Sequence, residues 1–100
     1  MDQDKLVKYE EGLLSEKEAT EFFQEIINSG EAWGTDDNFM KSAMYLLESG
    51  YCTLGEKSFT DLWGGYIPSI SDVEEGGIGT QDYVDRCTEA RRINKQEAYN

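Results

Sequence analysis

Glu18, Glu21 and Glu25 stand at i, i+3 and i+7, a spacing that lines carboxylates along one face of a helix. At a rise of ~1.5 Å per residue their axial separations are about 4.5 and 6 Å, comparable with the ~3.4 Å repeat of phosphates along a nucleic-acid strand. Such a row can offer a basic channel a stand-in for DNA or RNA; the plain alternative is an ordinary solvated helix face. Asp36 and Asp37 extend the acidic surface past the same helix. Trp33, Trp63 and Tyr66 are the aromatics suited to anchor a protein partner beside it, because Trp and Tyr are enriched among interface hot spots.

Other chemistry finds little support. The chain has no histidine, and twenty-one acids in 100 residues make carboxylate pairs an expected accident rather than a catalytic signature. Cys52 and Cys87 lie far apart without a metal-type spacing, so two reduced thiols are expected, and no imidazole exists to activate either. The run from Asp72 places Gly77 where a calcium loop wants glycine, but Gly76 and Tyr83 occupy two ligand positions. Gly76, Gly77 and Gly79 precede Thr80 as in a phosphate cradle, yet Asp72, Glu74, Glu75 and Asp82 surround them and no lysine follows. Phe59, Trp63 and Tyr66 could stack nucleobases only beside a positive groove, and their neighbours are negative. The expectation is a protein without catalytic residues, metal or cofactor, and without direct nucleic-acid contacts.

Charge narrows the partners. Twenty-one acids against nine bases leave −12, which repels nucleic acid and anionic membrane and draws the chain to basic surfaces through a field reaching ~8 Å in physiological salt. The surplus is uneven: residues 1–37 hold eleven acids and three bases, 38–79 six and two, 80–100 four of each. The opening MDQDKLVKYEE has no apolar core of a signal peptide, and no run approaches the ~20 apolar residues of a membrane span. A soluble, unexported protein is expected.

Local signals then supply the scaffold, one domain with three stretches: an acidic helical part over 1–50, an irregular Gly- and aromatic-rich part over 51–79, and a helix over 80–100. Ser15 and Glu18 form a capping box, Leu14 a staple, and Ala19, Phe22, Phe23, Ile26 and Ile27 a helical stripe that ends near Ser29 before Gly30. A turn at Gly34 leads to a second helix, with Thr35, Asp36 and Asp37 as cap candidates and Phe39, Met40, Ala43, Met44 and Leu47 as its stripe, stopped by Gly50. These two make an antiparallel hairpin. A shorter helix over Lys5–Glu11 shows Leu6, Val7 and Tyr9 to it, and Gly12 ends it.

From Tyr51 to Gly79 periodicity fails, but Phe59, Leu62, Trp63, Tyr66, Ile67 and Ile70 are too apolar for a disordered linker. They predict an ordered, irregular segment, compatible with a brief hairpin at Gly64-Gly65, that either seals the helical hairpin or stays exposed as a binding anchor. Thr80 caps a last helix, roughly Gln81 to Ala98, with a thin stripe of Tyr83, Val84, Cys87 and Ala90 and a fraying end. Arg91, Arg92 and Lys95 sit where cations favour a helix C-terminus. The fold class expected is mainly α.

The run KYEEGLLSEKEATEFFQEIINSGEAWG, continued by SAMYLLESGYC, resembles a family of short proteins carried by tailed bacteriophages. The likeness rests on the Tyr-Glu-Glu-Gly start, the Phe-Phe and Ile-Ile pairs, Ala-Trp and the Gly-Tyr-Cys close, about half the chain. It departs where Gly34-Thr35-Asp36-Asp37-Asn38 replaces the family's basic and Gln-rich residues. WGGYIPSISDV and GTQDYV are similar to another small phage segment, with Gly65 and Ile70 in place of its usual Asn and Arg. The resemblance brings no catalytic residue and implies a virus-encoded protein in the cytoplasm of a bacterial host. Joined to the charge, it suggests an inhibitor or redirector of a host or defence protein with a basic nucleic-acid-handling surface: RNA polymerase, a CRISPR effector, a restriction or repair enzyme. The reading from another class is a structural or assembly accessory that self-associates through its apolar stripes.

Overall fold

The computed structural model describes residues 1–97, so the expected helix end at Ala98 and its fraying lie outside the described residues. The protein is mainly helical. Helices α1 (Gln3–Glu10), α2 (Glu16–Ser29), α3 (Glu31–Gly34), α4 (Asp37–Glu48) and α5 (Gln81–Glu97) are joined, between α4 and α5, by strands β1 (Phe59–Thr60) and β2 (Tyr66–Ile67) and a 3-10 turn, Ile70–Asp72.

The starts of α1, α2, α4 and α5 each have a local cause. Asp2 caps α1 by accepting from the Asp4 and Lys5 amides, which starts the helix two residues earlier than the apolar pattern indicates. The capping box of α2 forms as expected: the Glu18 amide donates to Ser15 Oγ and the Ser15 amide to Glu18 Oε1, both at 3.1 Å. Asp36 is the cap of α4, accepting from the Phe39 amide at 2.9 Å, while Thr35 turns back to donate to the Glu31 carbonyl. Thr80 accepts from the Tyr83 amide at the head of α5.

The core lies between α2 and α4. Phe22, Phe23, Ile26 and Ile27 of α2 meet Phe39, Ala43 and Leu47 of α4, with Ala32 and Trp33 of α3 and Cys52 and Leu54 from the following loop. Tyr9 of α1 joins the rings of Phe22, Phe23 and Phe39 at centroid distances of 5.7, 5.2 and 5.7 Å, an edge and offset cluster. The helices run antiparallel: Glu16 and Ala19 at the start of α2 border one groove with Tyr45 and Leu46 at the end of α4.

Two expected stripes are narrower than the sequence suggests. In α1, Leu6 and Tyr9 pack on the core but Val7 is half exposed. In α4, Phe39, Ala43 and Leu47 are buried, whereas Met40 is half-buried and Met44 is 42 % exposed. The one-turn α3 also replaces the simple turn expected before α4 and carries Trp33 inward.

Two glycines receive the later elements. Gly30 has φ +88°, and a Cβ there would meet the Phe59 ring at 2.4 Å, so β1 packs on the bare junction of α2 and α3. Gly50 has φ +76°, and a Cβ there would lie 2.4 Å from Cys87 Cβ, so α5 sits on the end of α4. The Tyr83 hydroxyl donates to the Glu48 carbonyl, and the Arg91 guanidinium donates to the carbonyls of Ser49 and Gly50 at 2.7 and 3.3 Å while covering the Tyr51 ring at 3.9 Å. Gln24 binds the loop after α4 by a pair of 2.9 Å hydrogen bonds with the Thr53 amide and carbonyl. The least extent of the molecule, 18 Å, leaves room for two helix layers.

The hairpin forms where glycines allowed it, with Phe59 opposite Ile67 and Thr60 opposite Tyr66. Period-two alternation turns the first pair toward the core and the second outward. The aromatic segment is therefore divided: Phe59, Ile67 and Ile70 pack on the helices, and Leu62, Trp63 and Tyr66 are exposed.

Candidate functional site

The acidic row is real in position but not free. Glu18, Glu21 and Glu25 are all exposed along α2. Helix α1 answers two of them: Lys5 Nζ lies 3.1 Å from Glu25 Oε1, and its pKa is raised by that hydrogen bond and by the charge of Glu25. Glu18 is held below the ordinary carboxylate value by its hydrogen bonds with the Ser15 amide and hydroxyl, with Lys8 and Lys5 adding to the effect. Among the described residues only Glu21 of the three is without a hydrogen bond or ion pair; Glu18 stays ionised, and Lys5 offsets the charge of Glu25.

Trp33 is not a surface anchor. It is 1 % exposed, and its indole N–H has no hydrogen-bond partner among the described residues. The reason is α3, which folds the ring under the α2–α4 pair instead of leaving it on a turn.

Trp63 lies at the surface. It is 76 % exposed, yet its Nε1 donates to Asp37 Oδ1 at 2.9 Å, which fixes the ring against the first turn of α4. The loop behind it is tied by a local pair of hydrogen bonds: Asp61 Oδ1 accepts from the amides of Trp63 and Gly65 at 2.9 and 2.7 Å. With Met40, Met44 and Tyr45 the indole borders an open groove of about 350 Å³. Tyr45 is the ridge to a second groove of about 410 Å³, floored by Tyr9 and Phe23. Asp36 and Asp37 thus serve the fold first, one as a helix cap and one as the indole's acceptor.

Tyr66 is also exposed, and its hydroxyl donates to Asp72 Oδ2 at 2.8 Å. That bond and those from Ser69 hold the Asp72 carboxyl below its ordinary value. A carboxylate whose folded pKa is lowered stabilises the fold above its unfolded pKa and loses that effect as pH falls through the folded value. The stability difference between wild type and Asp72→Asn is therefore expected to be present at neutral pH and to shrink in acid below the ordinary carboxylate range. Urea midpoints of both proteins at neutral and acid pH measure it, and the shared change in overall charge repulsion cancels in the difference.

Among the described residues no group of three or more Cys, Asp or Glu is placed to hold a metal ion. The Cys52 thiol is buried, donates toward the Thr20 carbonyl at 3.6 Å, and is pushed up to about 11 by that burial, so it is not a thiolate at neutral pH. Among the described residues no helix is long and apolar enough to cross a membrane.

The surface that gathers aromatic area, fixed geometry and acid is accordingly the outer face of α4 with Trp63. The sequence carried a signal for it in the methionines of α4, which a helical period assigns to the core. Against known proteins, the family model of a domain of unknown function (DUF7417) matches residues 3–62, which spans α1 to α4 and β1 and stops one residue before Trp63. No curated protein and no solved structure matches the chain.

Proposed function

This chain belongs to the DUF7417 family, and on that premise we propose that it is a phage-encoded binding protein, not an enzyme. It works in the cytoplasm of a bacterial host and inhibits or redirects a host or defence protein through a basic, nucleic-acid-handling surface. The observation that carries this reading is the unanswered charge. Among the described residues the ion pairs are Met1 ammonium–Glu31, Lys5–Glu25 and Arg92–Glu89, set against a surplus of twelve acids. A net charge of −12, concentrated in the first third of the chain, speeds encounter with a basic partner and discourages encounter between two copies.

The phage origin is supported by the Tyr-Glu-Glu-Gly, Phe-Phe and Gly-Tyr-Cys motifs. Imitation of a phosphate row by α2 is the weaker form of the mechanism, because Lys5 and Lys8 of α1 lie beside it. The competing reading, an assembly accessory acting as a homo-oligomer, is favoured by the exposed Val7, Leu13 and Ile78.

Affinity capture from a bacterial host over a salt series, paired with light scattering of the purified protein, tests the two. The expected result is a monomer that retains one nucleic-acid-handling complex at low salt and releases it as salt rises. A stable oligomer that retains no complex overturns the binding reading in favour of assembly.

A further inference from the structure

Asp37, Met40, Met44 and Glu48 follow one another at intervals of three, four and four residues along α4. They form one stripe with apolar residues in the middle and a carboxylate at each end, about 16 Å apart at ~1.5 Å per residue. Trp63 stands along this stripe and Tyr45 borders it, both well exposed. Phe39, Ala43 and Leu47 supply the buried face of the helix, Met40 packs on its edge, and Met44 stands clear of the core at 42 % exposure.

We infer that this stripe is the docking groove for an amphipathic helix of a partner protein, apolar along its middle and carrying arginine or lysine near both ends. The inference rests on the binding-protein reading and names the surface and partner chemistry for it. Length supports it, since three turns of α4 match three turns of a partner helix laid in the groove. Methionine supports it as well, because its unbranched, polarisable side chain adapts to the residues it meets. Trp63 brings the large, rigid contact typical of an interface centre, already oriented by Asp37.

Charge selects the occupant. The terminal carboxylates pair with cations at the two ends of the entering helix, and Lys41 at the groove edge rejects a uniformly basic segment. A second copy is disfavoured because each carries a net charge of −12.

A labelled synthetic helix with leucines at i, i+4 and i+7 and arginines at both ends serves as the probe, followed by fluorescence anisotropy against the whole chain. Saturable binding that weakens with salt is expected, with a probe bearing glutamates at the ends failing to bind. Met44→Glu is expected to weaken binding by roughly thirtyfold or more, and circular dichroism confirms that this exposed position leaves the fold intact. Glu48→Lys is expected to weaken binding at low salt and flatten its salt dependence. Equal binding of the two probes, no binding of the arginine probe, or undiminished binding by Met44→Glu overturns the inference. So does a homodimer that Met44→Glu dissolves, which would give the groove to a second copy. If a host complex is captured equally well by Met44→Glu, the binding-protein reading stands and this groove is removed from it. If the arginine probe binds but no host complex is captured, the groove stands and the reading falls.

Discussion

Trp33→Ala is expected to lower folding stability by about 3–5 kcal/mol, the range for truncating a large buried aromatic. Small domains hold only about 5–15 kcal/mol in total, so the loss removes a large share of the stability and lowers the unfolding temperature. Trp33 heads the fully buried side chains by volume and is 1 % exposed. Its removal opens a cavity that Phe22, Ile26 and their neighbours cannot close without leaving their own contacts. Trp33→Phe should cost clearly less, since it keeps much of the volume and deletes an indole N–H that has no partner among the described residues. Thermal unfolding of the two variants separates these effects. An anchor on the surface would behave in the opposite way, losing affinity and keeping stability. Unchanged stability in Trp33→Ala would contradict the burial described above.

Gly50→Ala is expected to cost about 2–4 kcal/mol, from two sources that act at one atom. Alanine at φ +76° carries the left-handed strain, and its Cβ would stand 2.4 Å from Cys87 Cβ and 2.5 Å from Cys87 Sγ. The helix α5 must therefore shift or detach. Hydrogen exchange should report faster opening of α5 amides than of α2 amides, with a lower urea midpoint overall. Cys87→Ala in the same background should relieve only the Sγ part of the clash, because the Cβ itself remains. Cys87→Gly should restore part of the loss, returning the room but not the backbone conformation. Uniform loss of protection in every helix would mean that α5 and the α2–α4 core open as one unit.

The parts of this fold that were legible in the sequence are those with causes inside a few residues. Ser15 with Glu18, and Gly30 after Ser29, declare the ends of α2 because capping needs nothing beyond the next turn. Trp33 escaped such reading because a single helical turn has no period, and what buries the ring is α2 and α4 together. Met44 of α4 was misplaced for a related reason, while Met40 does pack on the edge of the core. Periodicity marks apolar residues but not the width of what covers them, and here the cover stops at Phe39, Ala43 and Leu47. The ion pair of Lys5 with Glu25 joins residues twenty positions apart, so the spacing along α2 could not announce that its row is partly neutralised. At the candidate site, Trp63 was recognisable by type, whereas its fixed pose depends on Asp37 twenty-six positions earlier.

The attachment of α5 has a consequence for how such a chain can vary. Every acceptor it uses at the end of α4 is a main-chain carbonyl, those of Glu48, Ser49 and Gly50. The donors, Tyr83 and Arg91, all come from α5, which lies beyond the family-matched stretch. Substitution at positions 48 and 49 leaves the acceptors in place, so the side-chain constraints across this junction fall instead on Gly50 beneath Cys87 and on the Tyr51 ring beneath Arg91. Another helix bringing one phenol, one guanidinium and a small residue over Gly50 would meet the same three carbonyls without asking anything of the side chains at 48 and 49.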